Sequence, residues 1–430
     1  MCSGKFVLKT MGCKANQFEG GIIIENLVAA GLTQVQTYAE ADYFILNSCT
    51  VTHKSDNEAL YHLRNAKHEN PQITNIITGC VAQVRKSELL ELDYVDKVFG
   101  NDEKLNIAEF LLSGSDCIVT DLMSKKDFNP VVLNDITKTR IGLKIQDGCN
   151  SRCAYCIIPF ARGKSRSAQI EFLTEQINKY AANGYKEVVL TGIHIGQWGK
   201  EWGQSLLDLL KEIEKTDIPR YRLGSLNPSE IDDELLDFLQ SSKKFCPHFH
   251  LSLQSACNKT LRNMNRFYKV EDYLEQIEDI KRRFGKPFLG ADIIVGFPDE
   301  TDEDFEITYE NLKKSGLTQI HTFPYSVRPD TVAAGMINHV PDDVKVLRAD
   351  RVKALSKAKY EEFSNSHVGE VVSILVEKRP DKKTGYYKGV TPNYLTVYVE
   401  SDKTDLFNTI QKVEINEVFQ GHLKGSFIDA

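Results

Sequence analysis

Three closely spaced cysteines form the most reactive pattern in the chain. Cys149, Cys153 and Cys156 follow a C-x3-C-x2-C spacing. A disulfide uses two thiols, whereas a closed zinc site or a fully ligated iron–sulfur cluster uses four ligands. Three thiolates in one loop therefore leave one coordination position open to a substrate or cofactor. A zinc site with a distant fourth ligand and a redox pair of Cys153 and Cys156 stay as alternatives, but the odd count favours an iron–sulfur cluster.

A second set of cysteines is spread over the first third of the chain. Cys13, Cys49 and Cys80 each follow a short apolar strand pattern and precede a helical one. The ends of parallel strands lie on one edge of a sheet, where ligands bind, so these thiols are expected to converge. A single buried cysteine is usually a small core residue, but three in equivalent positions favour a second metal site with an open position. The remaining cysteines match no motif and are expected not to be ligands: Cys2, Cys117, Cys246 and Cys257.

Apolar strands alternate with helices through the central part of the chain. This alternation predicts parallel pairing through right-handed crossovers and a partial (β/α)6 barrel. Reactive residues in such barrels follow the C-terminal ends of the strands, and Cys149 lies just beyond the first strand. The predicted strands are 141–145, 187–191, 221–226, 249–253, 290–295 and 319–325, and the predicted helices include 206–213, 232–239, 270–283 and 302–312.

The two ends of the chain predict separate domains. The pattern of the N-terminal part predicts a three-layer α/β domain. The pattern of the C-terminal part predicts a small OB-like β-barrel of short strands divided by turn signals. We expect domains at 3–115, 135–365 and 366–430, with a connection of weak periodicity at 113–138 and a helix at 342–363. The N-terminal elements are strands 5–9, 43–47 and 73–78 and helices 18–30 and 57–68; the C-terminal strands are 371–377, 386–389, 395–399, 411–418 and 423–427.

Composition excludes some classes of protein. Of the 430 residues, 41% are hydrophobic and 26% are charged, as in ordinary globular proteins. We expect no signal peptide and no membrane partner, because no apolar run is long enough to span a bilayer. Ten cysteines without a secretory signal indicate a reducing compartment, hence a cytoplasmic protein. The net charge of −7 argues against an extended nucleic-acid surface but not against a local basic patch.

The motifs resemble those of a known enzyme family. The C-x3-C-x2-C loop with an aromatic residue, Tyr155, before its last cysteine resembles the radical S-adenosylmethionine (SAM) superfamily. The sequences around Cys13, Cys49 and Cys80 resemble the N-terminal domain of methylthiotransferases, and the C-terminal barrel resembles their TRAM domain, an RNA-binding module. Five further segments resemble the radical domain of that family: 147–167, 190–199, 250–266, 291–301 and 323–330.

The resemblance implies a transferase with two [4Fe–4S] clusters and SAM. The cluster of Cys149, Cys153 and Cys156 would bind and reductively cleave SAM, and an auxiliary cluster of Cys13, Cys49 and Cys80 would carry the sulfur. The implied reaction adds a methylthio group to carbon 2 of N6-threonylcarbamoyladenosine at position 37 of tRNA. The implied partners are the tRNA anticodon stem-loop and an electron donor of the flavodoxin or ferredoxin kind. No catalytic residue beyond the cluster ligands is assigned.

The substrate prediction depends on the motifs around two cysteines. Gly-Cys-Lys-x-Asn-Gln at Cys13 and Asn-x-Cys-Thr-Val-Thr at Cys49 resemble the threonylcarbamoyladenosine branch. The isopentenyladenosine branch typically has Gly-Cys-Gln-Met-Asn at the first motif, and the ribosomal-protein branch has Gly-Cys-Pro-Lys-Asn. The same chemistry on isopentenyladenosine tRNA or on a ribosomal-protein aspartate is therefore the alternative. An alternative of another class is a non-catalytic, metal-stabilised RNA-binding module.

The resemblance also implies a SAM pocket at the strand ends. Tyr155 is expected against the adenine, and Thr191 with Gly192 beside the methionine amino group. Gly192 and Gly296 are equally expected as turn glycines, and Arg266 as a surface charge. The complete set of SAM-binding candidates is Tyr155, Thr191, Gly192, Ser225, Gln254, Ser255, Arg266, Val295, Gly296 and Pro324.

Further residues carry weaker signals. His194 is expected to be a loop histidine rather than a ligand. Arg162, Lys164 and Arg166 form a basic cluster after the cysteine loop, for which a solvated turn is favoured over a phosphate contact. Three tyrosines of the C-terminal barrel are candidates for stacking on bases, although strand tyrosines are commonly structural: Tyr386, Tyr387 and Tyr394.

Overall fold

Three sheet systems follow one another along the chain. The computed structural model describes residues 4–134, 138–403 and 405–428. A six-stranded sheet comes first, two parallel sheets of three and four strands form the centre, and a closed five-stranded barrel comes last. The predicted mixed α/β fold with a C-terminal β-barrel is therefore confirmed.

The N-terminal sheet has the strand order β2-β1-β3-β4-β5-β6, and all of its pairs are parallel. Its central strands β3 and β4 are almost wholly buried because helices cover both faces. Phe44 and Ile77 belong to the core on one face, and Phe6 and Ile45 to the core on the other. The elements are β1 (Lys5–Thr10), α1 (Lys14–Ala29), β2 (Thr33–Gln34), β3 (Tyr43–Ser48), α2 (His53–Glu69), β4 (Thr74–Gly79), α3 (Cys80–Val84), α4 (Lys86–Leu90), β5 (Lys97–Phe99), α5 (Ile107–Ser113) and β6 (Cys117–Ile118).

Some predicted boundaries in this part of the chain are wrong. The segment predicted as a connection at 113–138 contributes β6, in which Cys117 pairs with Val98 at the sheet edge. A strand of two residues carries too little alternation to be recognised. Helix α1 begins at Lys14 rather than at 18, because its polar first turn hides the apolar period. Helix α2 begins at His53 rather than at 57, because the side chain of Thr52 caps it.

The central sheets form an open barrel of parallel strands. The strand orders are β11-β10-β7 and β12-β13-β14-β15, so the six predicted strand–helix units are present. Gly224 divides the predicted third strand into β11 and β12. The elements are β7 (Arg140–Lys144), β8 (Gln146–Asp147), α6 (Ile158–Arg162), β9 (Arg166–Ser167), α7 (Ile170–Ala182), β10 (Glu187–Thr191), α8 (Leu206–Ile213), β11 (Arg220–Leu223), β12 (Ser225–Leu226), α9 (Asp233–Ser241), β13 (His248–Gln254), α10 (Asn258–Asn263), α11 (Val270–Phe284), β14 (Phe288–Val295), α12 (Asp302–Lys314), β15 (Gln319–Pro324) and α13 (Asp342–Asn365).

The N-terminal sheet lies at the open side of this central barrel. Among the described residues, the first barrel strand β7 and the last strand β15 do not pair. Helix α1 packs on β7, where Phe18 approaches Gly142 so closely that a Cβ there would lie 3.4 Å from its ring. Beyond β15, the hydroxyl of Ser326 accepts the backbone N–H of His53 at 2.9 Å. Helices α1 and α2 of the N-terminal domain therefore contact the two edges of the opening.

The terminal barrel covers the other end of the central strands. Helix α13 contacts both β15 and β19 and so connects the two units. Arg222 of β11 donates to the carbonyl of Pro392 at 2.8 Å, and the ring of Tyr394 packs on His248, the first residue of β13. No helix in the described part of the chain is long and apolar enough to cross a membrane. The terminal elements are β16 (Val371–Val376), β17 (Tyr387–Val390), β18 (Thr396–Val399), β19 (Ile410–Phe419) and β20 (His422–Phe427).

Candidate metal centres and the cavity between them

The first cysteine loop is held by its own backbone at the mouth of the central barrel. Gly148 has a φ of +71°, and a Cβ there would strike the backbone oxygen of Lys164, so glycine is required. The N–H of Cys149 donates to the carbonyl of Gly163 at 3.0 Å, and that of Ala154 donates to Met264 at 2.9 Å. These backbone hydrogen bonds fix the direction of the loop independently of a metal.

Two of the three loop sulfurs lie beside polar donors. The Sγ of Cys149 is 3.4 Å from Nδ1 of His194 and accepts the N–H of Ser151 at 3.4 Å. The Sγ of Cys153 accepts from Nη1 of Arg266 at 3.5 Å. Burial opposes ionisation of Cys149, but the hydrogen bond and charge of His194 and the hydrogen bonds from Ser151 together outweigh it and lower the pKa of this thiol. Cationic donors of this kind favour the thiolate, which is the metal-binding form.

A buried polar network connects these two donors. The carboxylate of Glu230 lies 2.6 Å from Nε2 of His194, which also contacts Nδ2 of Asn227. The side-chain oxygen of Asn227 accepts from Nη2 of Arg266 at 2.8 Å. Burial lowers the pKa of His194, but its bonds to Cys149 and Glu230 outweigh this and raise that pKa to about 9.

His194 lies in the loop after strand β10, as expected, but sequence reasoning missed its contact with the cysteine loop. Its side chain is buried and contacts a loop cysteine. The available signal was its position three residues after the end of strand β10, on the functional edge of the barrel.

The third loop cysteine, Cys156, is deeply buried. Burial, together with the neighbouring sulfur of Cys153, raises the pKa of the Cys156 thiol to about 12. Such a thiol ionises only when a bound cation compensates its charge. Three converging sulfurs, one of which is neutral without a cation, fit a metal cluster better than a hydrogen-bonded structural loop.

The second cysteine set lies at the edge of the N-terminal sheet, as expected from its strands. Cys13 precedes α1, Cys49 follows β3 and Cys80 begins α3. Strands β1, β3 and β4 are neighbours, with Thr10 opposite Asn47 and Ser48 opposite Gly79. The three cysteines therefore follow adjacent strand ends.

The chain leaves room beside these sulfurs. Gly12 has a φ of +86°, and a Cβ there would lie 2.5 Å from the Sγ of Cys49. Nδ2 of Asn101 lies 3.6 Å from the Sγ of Cys80. Burial, together with the neighbouring sulfurs of Cys80 and Cys13, raises the pKa of Cys49 to about 12. The three thiols therefore interact electrostatically and fit a polynuclear group.

A mononuclear metal site is not formed by these residues. Within residues 4–134, 138–403 and 405–428, no three His, Cys, Asp or Glu side chains are arranged to hold a single metal ion. A cubane cluster has a different requirement, because each cysteine binds a separate iron and the sulfurs do not meet at one ion.

One cavity joins the two cysteine sets. It has a volume of about 340 Å³ and is lined by Cys13 from the second set and Cys156 from the first. Its other walls are mainly apolar and come from strands β13, β14 and β15, from the residues after β3, and from the cysteine loop with the start of α6. Three SAM candidates line this joint cavity: Tyr155, Gln254 and Pro324.

A second cavity, of about 330 Å³, lies inside the central barrel. It shares Cys13 with the joint cavity, and we call it the lumen cavity. Three further SAM candidates line it: Thr191, Gly192 and Ser225.

The other SAM candidates line neither cavity. Arg266 contacts Cys153 as described, and Val295 is buried in the barrel core. Ser255 is fully buried, with its Oγ 3.4 Å from Oγ1 of Thr308. The N–H of Gly296 donates to Glu300 at 2.8 Å. All ten SAM assignments stay predictions.

Two of the three residues in the basic cluster after the cysteine loop are buried against carboxylates. Arg162 is 1% exposed and donates to the carboxylate of Glu19 at 2.8 and 3.0 Å. Arg166 is also buried, and it lies 3.5 Å from Asp147. A solvated turn and a phosphate contact are therefore both wrong for these two arginines, whereas Lys164 is exposed. The short sequence pattern could not reveal a carboxylate partner from a distant helix.

The tyrosines and remaining cysteines occupy varied environments. Tyr387 is buried in the terminal-barrel core against Phe407, Tyr386 is half-buried beside Lys424, and Tyr394 faces the central barrel. The other described cysteines lie in β6 or are buried near acidic residues, and their prediction as non-ligands stays a prediction; Cys2 lies outside the described residues. These cysteines are Cys117, Cys246 and Cys257.

Comparisons with known proteins cover almost the whole chain. Residues 143–312 match the Radical SAM superfamily, and residues 5–100 match the family described as Uncharacterized protein family UPF0004. The threonylcarbamoyladenosine tRNA methylthiotransferase MtaB of Aquifex aeolicus is 37% identical, over 93% of this chain and 97% of its own length. The corresponding protein of Bacillus subtilis is 32% identical, over 97% and 95%. The tRNA-2-methylthio-N(6)-dimethylallyladenosine synthase of Bacillus cereus is 32% identical, over 99% and 86%.

A solved structure shares the fold. The radical S-adenosylmethionine methyltransferase TsrM of Kitasatospora setae superimposes with a TM-score of 0.56 at 13% identity. The match covers 77% of this chain and 76% of that one. At this identity the likeness concerns the fold alone.

Proposed function

Because this chain belongs to the radical SAM methylthiotransferase family, we propose that it adds a methylthio group to carbon 2 of N6-threonylcarbamoyladenosine in tRNA. The family membership makes it an enzyme that transfers sulfur-containing groups and uses SAM with a [4Fe–4S] cluster. The observation that carries the proposal is the joint cavity, where Cys13 and Cys156 line the same space. A methylthio donor at one wall and a radical source at the other would both reach a base between them.

The residues of the cysteine loop would hold the SAM-binding cluster. Cys149, Cys153 and Cys156 supply three ligands and leave the fourth iron for SAM. When bound, cluster and SAM supply the radical chemistry that an unactivated C–H bond requires and that acid–base groups handle poorly. His194 and Arg266 hold the first two ligands by donating hydrogen bonds to their sulfurs. The mainly apolar cavity walls keep water away from the reacting carbon.

The second cysteine set would hold an auxiliary cluster that carries the transferred sulfur. Cys13, Cys49 and Cys80 supply its ligands, and Gly12 leaves the space that a side chain would fill. Asn101 donates toward Cys80 and also to the carbonyl of Ala161, at 2.7 Å, beside the first cysteine loop. This shared amide supports a fixed separation between the two cluster sites.

The tRNA substrate would place its target base in the joint cavity, between the two cysteine sets. A base inside a stem-loop must leave its stack before a pocket can enclose it. The joint cavity and the lumen cavity share Cys13, and the terminal barrel, which resembles a TRAM domain, would contact the RNA outside them. A reductant of the flavodoxin or ferredoxin kind would supply electrons, and a tRNA substrate would place the enzyme in the cytoplasm.

The alternatives predict different substrates or no turnover. Several relatives at 32–37% identity are named for threonylcarbamoyladenosine, which favours that nucleoside over isopentenyladenosine and over a ribosomal-protein aspartate. A non-catalytic RNA-binding module would not cleave SAM. Nucleoside mass spectrometry of tRNA from cells with and without the gene decides among them. Loss of only the methylthio-isopentenyl nucleoside on deletion would show that the assigned substrate is wrong.

The auxiliary cluster can be tested by removing its ligands. After anaerobic reconstitution, we expect Cys13→Ala and Cys80→Ala to lower the iron content from about eight to about four per chain, because each [4Fe–4S] cluster holds four irons. SAM cleavage should persist while methylthiolation of tRNA disappears. Cys117→Ala, in the same sheet, is the matched control and should keep all the iron. Unchanged iron content and product in the Cys13 and Cys80 variants would disprove the auxiliary site.

A glycine substitution tests the same site without removing a ligand. In Gly12→Ala, the added methyl group would collide with Cys49, so we expect loss of the auxiliary cluster with the SAM-binding cluster retained. Gly114→Ala shares the positive φ, but its Cβ would meet nothing within 4 Å. This control therefore separates the steric effect from backbone strain.

A further inference from the structure

The lumen cavity has an unusual polar lining for the interior of a barrel. Three histidines project from the strands, and a lysine comes from the first turn of α1 next to Cys13. The ring of Tyr394 forms its floor. The residues that matter here are Cys13, Lys14, His248, His250, His321 and Tyr394.

Several of these polar groups have no partner in the described part of the chain. Lys14 makes no ion pair or hydrogen bond there, and its Nζ lies only over the ring of Tyr394, 5.5 Å from the centroid. His248 is 5% exposed, and its Nδ1 is buried without a hydrogen-bond partner. The imidazole ring of His321 has no hydrogen-bond partner among the described residues, and its centroid lies 5.4 Å from that of His250. A cavity with unused donors is prepared for a ligand that accepts hydrogen bonds.

Among the described residues that line this cavity, Lys14 is the one side chain with a formal charge, and that charge is positive. Burial lowers the pKa of His248 well below its usual value, and the positive charges of Arg222 and Lys14 lower it further. Burial also lowers the pKa of His321, so both rings act as neutral N–H donors and Lys14 supplies the charge. The nearby carboxylate of Asp292 lies 3.3 Å from His250. The positive lumen contrasts with the net charge of −7 of the chain.

We propose that the lumen cavity binds the carboxylate of the amino acid attached to N6 of the target adenine, with Lys14 as its ionic partner and His248 and His321 as hydrogen-bond donors. This inference rests on the proposed function, in which the substrate nucleoside carries a threonyl group. It makes Lys14 a residue that determines substrate specificity, because an isopentenyl group has no carboxylate. An ammonium group and two imidazole N–H groups match the oxygens of one carboxylate.

The position of the donors favours the nucleoside over SAM as the source of the carboxylate. His248 is the first residue of β13 and His321 the third of β15, so both lie toward the N-terminal ends of their strands. The cysteine loop that would hold SAM follows the C-terminal end of β7. Lys14 adjoins Cys13, so a group bound to it would lie beside the auxiliary cluster that delivers sulfur.

Equilibrium binding of two synthetic RNAs tests this inference. Both are anticodon stem-loops labelled with fluorescein; one carries N6-threonylcarbamoyladenosine, and the other carries the same nucleoside with its carboxylate converted to a neutral carboxamide. We expect the reconstituted enzyme to bind the acid about 10- to 100-fold more tightly than the amide, the usual range for a hydrogen-bonded ion pair. The Lys14→Met variant should bind both RNAs with the affinity that the wild-type enzyme shows for the amide. The Lys14→Arg variant should recover part of the preference for the acid.

Controls make each result decisive. Lys211→Met, on the outer helix α8, should retain the full preference, and iron content and circular dichroism report the folding of every variant. His321→Phe should reduce the preference independently of Lys14. Equal binding of acid and amide by the wild-type enzyme would overturn the inference, as would a Lys14→Met variant that loses affinity for SAM but keeps its RNA preference. If the wild-type enzyme binds the acid selectively but never methylthiolates it, the proposed function fails and the carboxylate site stands.

Discussion

The sulfurs of the first cysteine loop are controlled by hydrogen bonds from outside the loop. His194 contacts Cys149, Arg266 contacts Cys153, and Asn227 lies between the two donors. Hydrogen bonds to ligand sulfurs stabilise the more negative, reduced state of an iron–sulfur cluster and so raise its reduction potential. The network therefore sets how readily the loop cluster accepts an electron.

We expect His194→Gln to lower the reduction potential of the loop cluster. Loss of a hydrogen bond worth about 1 kcal/mol in the reduced state corresponds to a shift of about 40 mV for one electron. A redox titration followed by electron paramagnetic resonance measures this shift without turnover. His422→Gln, in the terminal barrel, serves as the control. An unchanged potential in His194→Gln would mean that this contact does not persist when the cluster is bound.

The sequence could identify the cysteines but not their surroundings. The candidate ligands can be recognised by their local spacing, such as C-x3-C-x2-C, or by their position after a strand. The groups that hold them come from far away along the chain: Arg266 lies 113 residues from Cys153, and Glu19 lies 143 residues from Arg162. Such pairs leave no periodic pattern, so only the folded structure reveals them.

Helix α1 is joined to the central barrel by a buried ionic cluster. Glu19, 1% exposed, accepts from Arg162 and also contacts Lys104 and Lys144, the latter at 2.7 Å. The opposing charges fix the helix that begins beside Cys13 against the helix that follows the first cysteine loop. Burial opposes ionisation of Glu19, but the cations outweigh it and hold the pKa of this carboxyl well below its usual value.

We expect Glu19→Gln to lower the free energy of unfolding by about 3–5 kcal/mol, because it leaves buried cations without their carboxylate. The pKa of Glu19 is depressed in the folded state, so its contribution is complete above the ordinary carboxyl value of 4.5 and is lost as the pH falls through the lower folded value. The difference between variant and wild type should therefore be constant near neutrality and shrink in acid.

Denaturant unfolding at several pH values measures this difference. Glu91→Gln, an exposed carboxylate in the N-terminal part of the chain, should change stability by less than about 0.5 kcal/mol. A Glu19→Gln variant as stable as this control would show that the cluster contributes specificity of packing rather than stability.

Element positions were more predictable than ionic contacts for a physical reason. The central strands repeat a run of apolar residues followed by an amphipathic helix, and helix α8 (Leu206–Ile213) was predicted with its exact bounds. Short edge elements such as β6 and polar first turns such as that of α1 carry little of this periodicity. Their boundaries depend on tertiary pairing and capping, which the pattern does not encode.

At the scale of the whole molecule, the two cysteine sets must keep a constant separation. The joint cavity is lined by residues of both domains, and helices α1 and α2 contact the two edges of the barrel opening. On the β15 side, Arg328 forms a buried ion pair with Asp56 of α2, and Oγ1 of Thr50 donates to the same carboxylate at 3.0 Å. Both charged side chains are at most 3% exposed. This contact closes the opening opposite the Glu19 cluster.

We expect Asp56→Asn to loosen this edge, because Arg328 then retains its charge without a carboxylate partner in the described part of the chain. Hydrogen exchange followed by mass spectrometry should show faster exchange after β15 and at the start of α2, while the terminal barrel stays unchanged. Methylthiolation should fall more than SAM cleavage, since only the former needs both cysteine sets together.

The matched control for Asp56→Asn is Glu306→Gln, which removes the carboxylate from the exposed ion pair with Arg351. Exposed pairs contribute about 0–1 kcal/mol, so this variant should leave both exchange and turnover unchanged. If Asp56→Asn instead lowered SAM cleavage and methylthiolation equally, with no change in exchange at the opening, the ion pair would act on the barrel itself. The separation of the cysteine sets would then depend on α1 and its ionic cluster alone.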